Sequence, residues 1–206
     1  MEYKWIEWIK KLQAIAQNGL AYSENAYDLE RYEQLQQIIA DILQHHTNHD
    51  ADTINDFLTR EEGYLTPKVD VRGVVFRDNK ILLVKERSDG KWTLPGGWAD
   101  VCYSPGENVV REIYEESGYE TRPVKVLAIH DRDKQSHVPP FPYHVYKIFF
   151  QCKLVGGSPK SGIETENVDF FRENEIPELS LSRVTPGQIS TMFEYHRDDK
   201  MQTAFD

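Results

Sequence analysis

Residues 97–119 read GWADVCYSPGENVVREIYEESGY, a glycine-led loop that runs into a short helix and stops at a second glycine. The helix start is written in Ser104, Pro105 and Glu107: a capping hydroxyl, a proline at the first helical position, and an acid three residues past the cap to return the hydrogen bond. Gly118 supplies the stop. At about 100° per residue, Val109, Val110, Ile113 and Tyr114 fall on one side, while Glu112, Glu115 and Glu116 gather in an adjoining arc roughly 100° wide. The apolar side predicts a helix laid on a sheet, with three carboxylates projecting together. Arg111 stands one turn before Glu115, within pairing range.

Carboxylates packed this closely repel one another, by about 0.2–0.5 kcal/mol per pair on an isolated helix, so the pattern calls for a compensating cation. Magnesium and manganese take oxygen ligands, keep several waters, and share phosphate oxygens with a few carboxylates. An isolated E-x-x-E-E is more often a solvated helix face. The Gly96-Gly97 pair, the loop, the caps and the strand-like run before them set this one apart.

Outward from the helix, β-branched and aromatic runs predict strands at Val69 to Phe76, Ile81 to Lys85, Val124 to His130, His144 to Leu154 and Asn167 to Phe171. Asp78 and Asn79 form the turn between the first two. A last helix is expected at Pro186 to His196. Before Glu62, Gly63 and Pro67 the texture is helical: Trp5, Trp8, Ile9 and Leu12 form one stripe, and Leu29, Tyr32, Leu35, Ile39 and Leu43 another. Gly19 reads as the stop of the first helix, Ser23 to Asn25 as the connection, and Thr53 to Leu58 as a third helical piece. The organisation expected is a helical module over residues 1–63 and a mixed sheet flanked by helices over 64–206.

The run from Gly97 resembles the signature of the Nudix hydrolases, G-x5-E-x7-R-E-U-x-E-E-x-G-U, where U is a bulky apolar or aromatic residue. Gly97, Arg111, Glu112, Ile113, Glu115, Glu116, Gly118 and Tyr119 match in register, and Tyr103 stands where the signature has its first glutamate. The resemblance implies an α/β (α+β) fold, a mixed-sheet α/β/α sandwich preceded here by a small helical domain. It implies Mg2+ or Mn2+ held by Glu112, Glu115, Glu116 and the backbone carbonyl of Gly96, with Arg111 orienting Glu115. It also implies hydrolysis of a nucleoside diphosphate linked to another group, with a further carboxylate from a later loop, for which Glu164 and Glu166 are the candidates. Tyr103 suggests a rival, a sensor that binds such a nucleotide without cleaving it.

With 206 residues, 39% hydrophobic and 12% aromatic, the chain has enough apolar material for a core plus a small appendage. A formal charge of -10 opposes nucleic acid and anionic membranes as partners, leaving RNA ends as a remote third substrate. No apolar run approaches the roughly 20 residues of a bilayer span, and Glu2, Trp5 and Glu7 do not read as an export signal, so a cytoplasmic location is the expectation. Cys102 and Cys152 read as reduced packing thiols.

The N-terminal module, GGWADV and the stretch His130 to Lys147 resemble a bacterial Nudix branch related to CDP-choline and ADP-ribose pyrophosphatases, commonly homodimeric. CDP-choline is the first expectation and ADP-ribose the second. Trp92, Trp98, Tyr103, Phe141 and Tyr143 are candidate aromatic faces for a quaternary ammonium, Arg72 is a candidate phosphate contact, and His130 and His144 are read as structural.

Overall fold

The computed structural model describes residues 4–47, 50–59 and 62–206, and the chain divides into two units, Met1–Pro67 and Lys68–Asp206. Glu2, which enters the sequence argument, lies outside the described residues.

The first unit holds α1 (Lys4–Tyr22), α2 (Ala26–His46) and α3 (Ala51–Thr59). Asn25 starts α2 by accepting the backbone N–H groups of Tyr27 and Asp28. Ile9, Ala16, Ile39, Leu43, Ile54 and Leu58 make its core. α3 is tied down where Gln13 and Gln36 both donate to the carbonyl of Leu58, at 3.0 and 3.5 Å. Two expectations are corrected here. Gly19 does not stop α1; a Cβ at that position would lie 2.4 Å from the Tyr32 ring, so the glycine serves close packing inside the helix. Trp8 is exposed, because the buried face runs through Ile9, Gln13, Ala16 and Gln17.

The second unit is a mixed sheet of β1 (Lys68–Arg77), β2 (Lys80–Glu86), β3 (Trp92–Thr93), β4 (Tyr119–Asp131), β5 (Val145–Gly157), β6 (Thr165–Phe171) and β7 (Ala204–Phe205), with α4 (Pro105–Ser117) and α5 (Pro186–Arg197). The order is β3-β2-β1-β5-β4-β7, with β6 on the other edge of β2. β1 pairs parallel to β5, and β4 antiparallel to β5. Asp78 and Asn79 turn the β1–β2 hairpin with φ 52° and 57°, the left-handed geometry that matches strand twist.

Alternate faces of the strands build two cores. Val71, Val75, Leu82, Phe150 and Phe170 pack under Val109 and Ile113 of α4. Val74, Ile81, Leu83 and Phe149 pack under Ile189, Met192, Phe193 and Tyr195 of α5. The result is the helix-sheet-helix sandwich. Burying Val109 and Ile113 contributes about 1.5–3 kcal/mol each, which fixes α4 against β1. Tyr114 is more than half exposed and does not share that face, a second correction to the helical stripe.

β4 begins five residues before the predicted Val124. Pro123 falls at a register irregularity in the β4–β5 pairing, where a missing N–H is tolerated, so the proline sits inside the strand. β3 and β7 have two residues each, too short for any periodicity to announce them.

Candidate active site

The helix α4 is closed at both ends as its residues demand. Ser104 Oγ accepts from the Glu107 N–H at 3.2 Å and Glu107 Oε2 accepts from the Ser104 N–H at 2.8 Å. Gly118 ends it at φ 74°, a conformation that glycine adopts without steric cost. A rigid support for the glutamates follows from these caps and from the buried face.

The loop before α4 runs along β1 as a makeshift strand. Val71 N–H donates to the Gly97 carbonyl and Gly73 N–H to that of Pro95, both at 2.8 Å, while Ala99 N–H donates to Val69. The carbonyls of Pro95 and Gly97 are thus engaged on β1, and Gly96 lies between them. Its N–H donates to Glu116 Oε2 at 2.8 Å. A Cβ on Gly97 would come within 2.8 Å of Glu112 Oε2, so the loop passes this close to the helix because residue 97 has no side chain.

Glu116 is 7% exposed, and burial pushes its carboxyl up to about 8, against the pull of Arg72 and the Gly96 N–H. Glu112 is half-buried and raised to about 7, first by burial, with Glu115 and Glu164 adding repulsion and Arg72 opposing it. Two poorly solvated carboxyls side by side form a place where positive charge is missing. Glu115 is exposed, with Arg111 Nε 3.5 Å from its Oε1, and Arg111 Nη2 also donates to Asp100 Oδ2 at 3.0 Å. The Arg111 guanidinium lies 4.4 Å from the Tyr103 ring centroid.

The two loop acids part company. The Glu164 carbonyl accepts from Arg87 N–H, and the neighbouring Thr165 Oγ1 donates to the Glu116 carbonyl at 2.8 Å, which ties this loop to the last turn of α4. The Glu164 side chain is exposed, and its charge is felt at Glu112 and Glu86. Glu166 pairs with Lys85 at 2.6 Å, which holds its carboxyl below the ordinary range.

The proposed substrate contacts are also separated. Arg72 is neither a surface ion pair nor an open phosphate contact: it is 4% exposed, binds Asp70 through Nε at 2.9 Å and Nη2 at 2.7 Å, and donates to the Leu94 carbonyl. Trp92 packs edge-on against Phe171 and joins the α5-side core, since β3 lies flat on that edge of β2. Trp98 is half exposed and stacks on Phe141, which in turn touches Tyr143. His130 is buried against Phe149, and His144 stands 3.3 Å from Asp131.

Sequence reasoning missed Asp70, Lys147, Glu86 and Asn108. Lys147 is buried opposite Asp70 in the β1–β5 register and donates to its Oδ1 at 2.7 Å. Glu86 is buried and paired with Arg183 at 2.9 Å. A signal existed for the first pair: Asp70 and Arg72 share one face of a strand otherwise apolar, and Lys147 interrupts a second such strand.

Among the described residues, no three His, Cys, Asp or Glu side chains already converge on one point. The donor set still suits a hard divalent cation. Glu112 and Glu116 are ill-solvated carboxylates beside the Gly96–Gly97 backbone, and such ions need only a few protein oxygens when phosphate and water complete the shell.

Comparison with known proteins agrees with this geometry. The NUDIX domain family matches residues 66–193, and a family described as a UDP-X-like, N-terminal oligomerisation domain matches residues 3–58. A putative ADP-ribose pyrophosphatase of Bacillus subtilis is 48% identical over 100% of this chain and 99% of its own length. An ADP-ribose pyrophosphatase of Methanocaldococcus jannaschii is 36% identical over 57% of this chain and 69% of its own. Among solved structures, a UDP-X diphosphatase superposes with TM-score 0.65 at 29% identity, covering 100% of this chain and 99% of that one. An ADP-ribose pyrophosphatase of Streptococcus suis superposes with TM-score 0.63 at 40% identity, covering 68% and 100%.

Proposed function

Since the chain belongs to the Nudix family and is a pyrophosphohydrolase, we propose that its substrate is ADP-ribose, cleaved at the pyrophosphate to AMP and ribose 5-phosphate. The observation that carries this choice over CDP-choline is the state of the aromatic faces. Arg111 lies over Tyr103, Lys68 over Tyr143 at 5.7 Å and Arg132 over Phe141 at 5.2 Å. Faces that already carry the protein's own cations make a poor cage for a quaternary ammonium. The half-exposed Trp98, stacked on Phe141, offers a flat surface to a purine instead. The ADP-ribose pyrophosphatases among the relatives point the same way by name.

Glu112, Glu115, Glu116 and the Gly96 carbonyl would hold Mg2+ or Mn2+, which when bound neutralises pyrophosphate charge and makes a bound water more acidic. Glu116 is held by the Gly96 N–H through Oε2, which leaves Oε1 as the oxygen for a metal. Arg111 orients Glu115. Glu164 is proposed as the base, because its loop is anchored beside Glu116 while its side chain stays in solvent, whereas Glu166 is occupied by Lys85. With Mg2+ or Mn2+ and a panel of ADP-ribose, CDP-choline, UDP-sugars and short RNA, kcat/KM for ADP-ribose should lead CDP-choline by about tenfold or more. Faster release of CMP and phosphocholine would reverse the assignment, and tight binding without products would return the sensor.

The N-terminal unit is proposed to make a homodimer, a reading supported by the description of its family. α3 covers one side of the α1–α2 pair, and Trp8, Ile15 and Tyr22, seven residues apart along α1, remain exposed together with Ile38 of α2. α1 carries Lys4, Lys10 and Lys11 against Glu7, and α2 carries Asp28, Glu30, Glu33 and Asp41 against Arg31, which favours α1 of one protomer on α2 of its partner. Trp8→Glu combined with Ile15→Glu is expected to yield monomers in light scattering; a persistent dimer would move the interface elsewhere.

A further inference from the structure

The residue at which this chain leaves the Nudix signature, Tyr103, touches the signature arginine. We infer that Asp100 and Tyr103 act as one positioning pair that holds the Arg111 guanidinium toward Glu115, in place of the glutamate that the signature puts at residue 103. The inference rests on the metal platform proposed above.

Three contacts locate Arg111. Its Cζ lies over the Tyr103 ring, 4.4 Å from the centroid, its Nη2 donates to Asp100 Oδ2 at 3.0 Å, and its Nε stands 3.5 Å from Glu115 Oε1. A guanidinium is planar, with two faces and a fork of fixed N–H directions. A ring packed against the guanidinium limits where its centre can lie, and a carboxylate at one edge limits its rotation. The Nε is then left within ion-pair distance of Glu115. Neither partner alone imposes both restraints.

The two holders are themselves fixed to α4. Asn108, 3% exposed, accepts the Asp100 N–H at 3.0 Å and donates to the Asp100 carbonyl at 3.1 Å and to the Tyr103 carbonyl at 3.5 Å. Cys102 between them turns the chain at φ 67°, in the left-handed region. One buried amide therefore registers the loop on the helix three residues before Arg111. Groups that orient a metal ligand in this way typically change metal affinity or activity by about 10- to 100-fold when removed.

The test is calorimetric titration of Mn2+ into the metal-free full chain, with thermal unfolding and kinetics alongside. Asp100→Asn combined with Tyr103→Leu is expected to weaken Mn2+ binding about tenfold or more and to lower kcat more than it changes KM. The unfolding temperature should hold, because both side chains are at least half exposed. Tyr103→Phe, which keeps the ring, should bind Mn2+ more tightly than Tyr103→Leu, and Tyr103→Glu should restore affinity in the Asp100→Asn background. Wild-type Mn2+ affinity in the Asn/Leu double variant, or no recovery with Tyr103→Glu, would overturn the pair. Glu116→Gln serves as the control: if it too binds Mn2+ as the wild type does, the platform itself is misplaced; if it alone loses affinity, only the pair fails.

Discussion

Glu116→Gln is expected to lose roughly 10²- to 10⁴-fold in turnover with the fold intact, because the amide keeps the shape and the Gly96 hydrogen bond but no longer offers an anionic oxygen. The same substitution should change the pH dependence of stability in the metal-free protein. Glu116 holds its proton up to about pH 8 when folded, against an ordinary value of 4.5. The folded state is then the better proton binder between those limits, so stability is full below about pH 4.5 and falls as pH rises towards 8. At 1.36 kcal/mol per pKa unit, the loss attributable to Glu116 is on the order of 5 kcal/mol by pH 8. Glu112, raised to about 7 but only half-buried, adds a smaller fall in the same direction. Urea unfolding from pH 5 to 8 in a chelator should show a steep decline in the wild type and a shallow one in the variant, and Mn2+ should flatten the wild-type curve. Equal slopes in chelator, or near wild-type turnover, would remove Glu116 from the centre of the site.

Asp70→Asn should cost about 3–5 kcal/mol of stability, the usual penalty for removing one partner of a buried ion pair. Asp70 accepts from Nε and Nη2 of Arg72 and from the ammonium of Lys147, and all three residues are at most 5% exposed. Burial by itself would raise the Asp70 carboxyl, and the two cations outweigh it, holding it at about 2. An amide leaves two buried cations side by side. The melting temperature is expected to fall by roughly 10 °C. Replacing Asp70, Arg72 and Lys147 together by Leu, Met and Leu should be less damaging than Asp70→Asn, since an apolar trio needs no solvation. The triple variant should nevertheless lose activity, because Arg72 is also the main positive charge acting on Glu112 and Glu116. A loss under about 1 kcal/mol for Asp70→Asn would mean that water reaches the trio.

The elements most legible in the sequence were those whose instructions are local. α4 has the predicted bounds because its cap, first-turn proline, returning acid and terminal glycine all lie within the helix and its two flanking residues. The β1–β2 turn and the five longer strands were readable for the same reason. Gly19 misled because it answers to a neighbour remote in sequence, the Tyr32 ring, and the start of β4 was missed because its extension through Pro123 depends on an irregular pairing with β5. Within the site, Glu112, Glu115 and Glu116 were visible on one arc, but spacing alone did not make Glu116 the buried member and Glu115 the exposed one. That difference arises from which side of α4 meets β1.

The sequence by itself determined the acid platform, its caps and the glycine loop before it, since those depend on helix periodicity and backbone freedom within about two dozen residues. Tertiary structure decided the partners of the charges. The register of β5 on β1 set Lys147 against Asp70, 77 positions away, and took Arg72 out of reach of a surface phosphate. Loop closure joined the loop of Glu164 to α4 through Thr165 and left Glu166 on Lys85. It also laid Arg111 over Tyr103. Helix periodicity repeats every few residues and can be read along the chain, whereas burial and charge pairing are set between segments whose separation the chain does not encode locally.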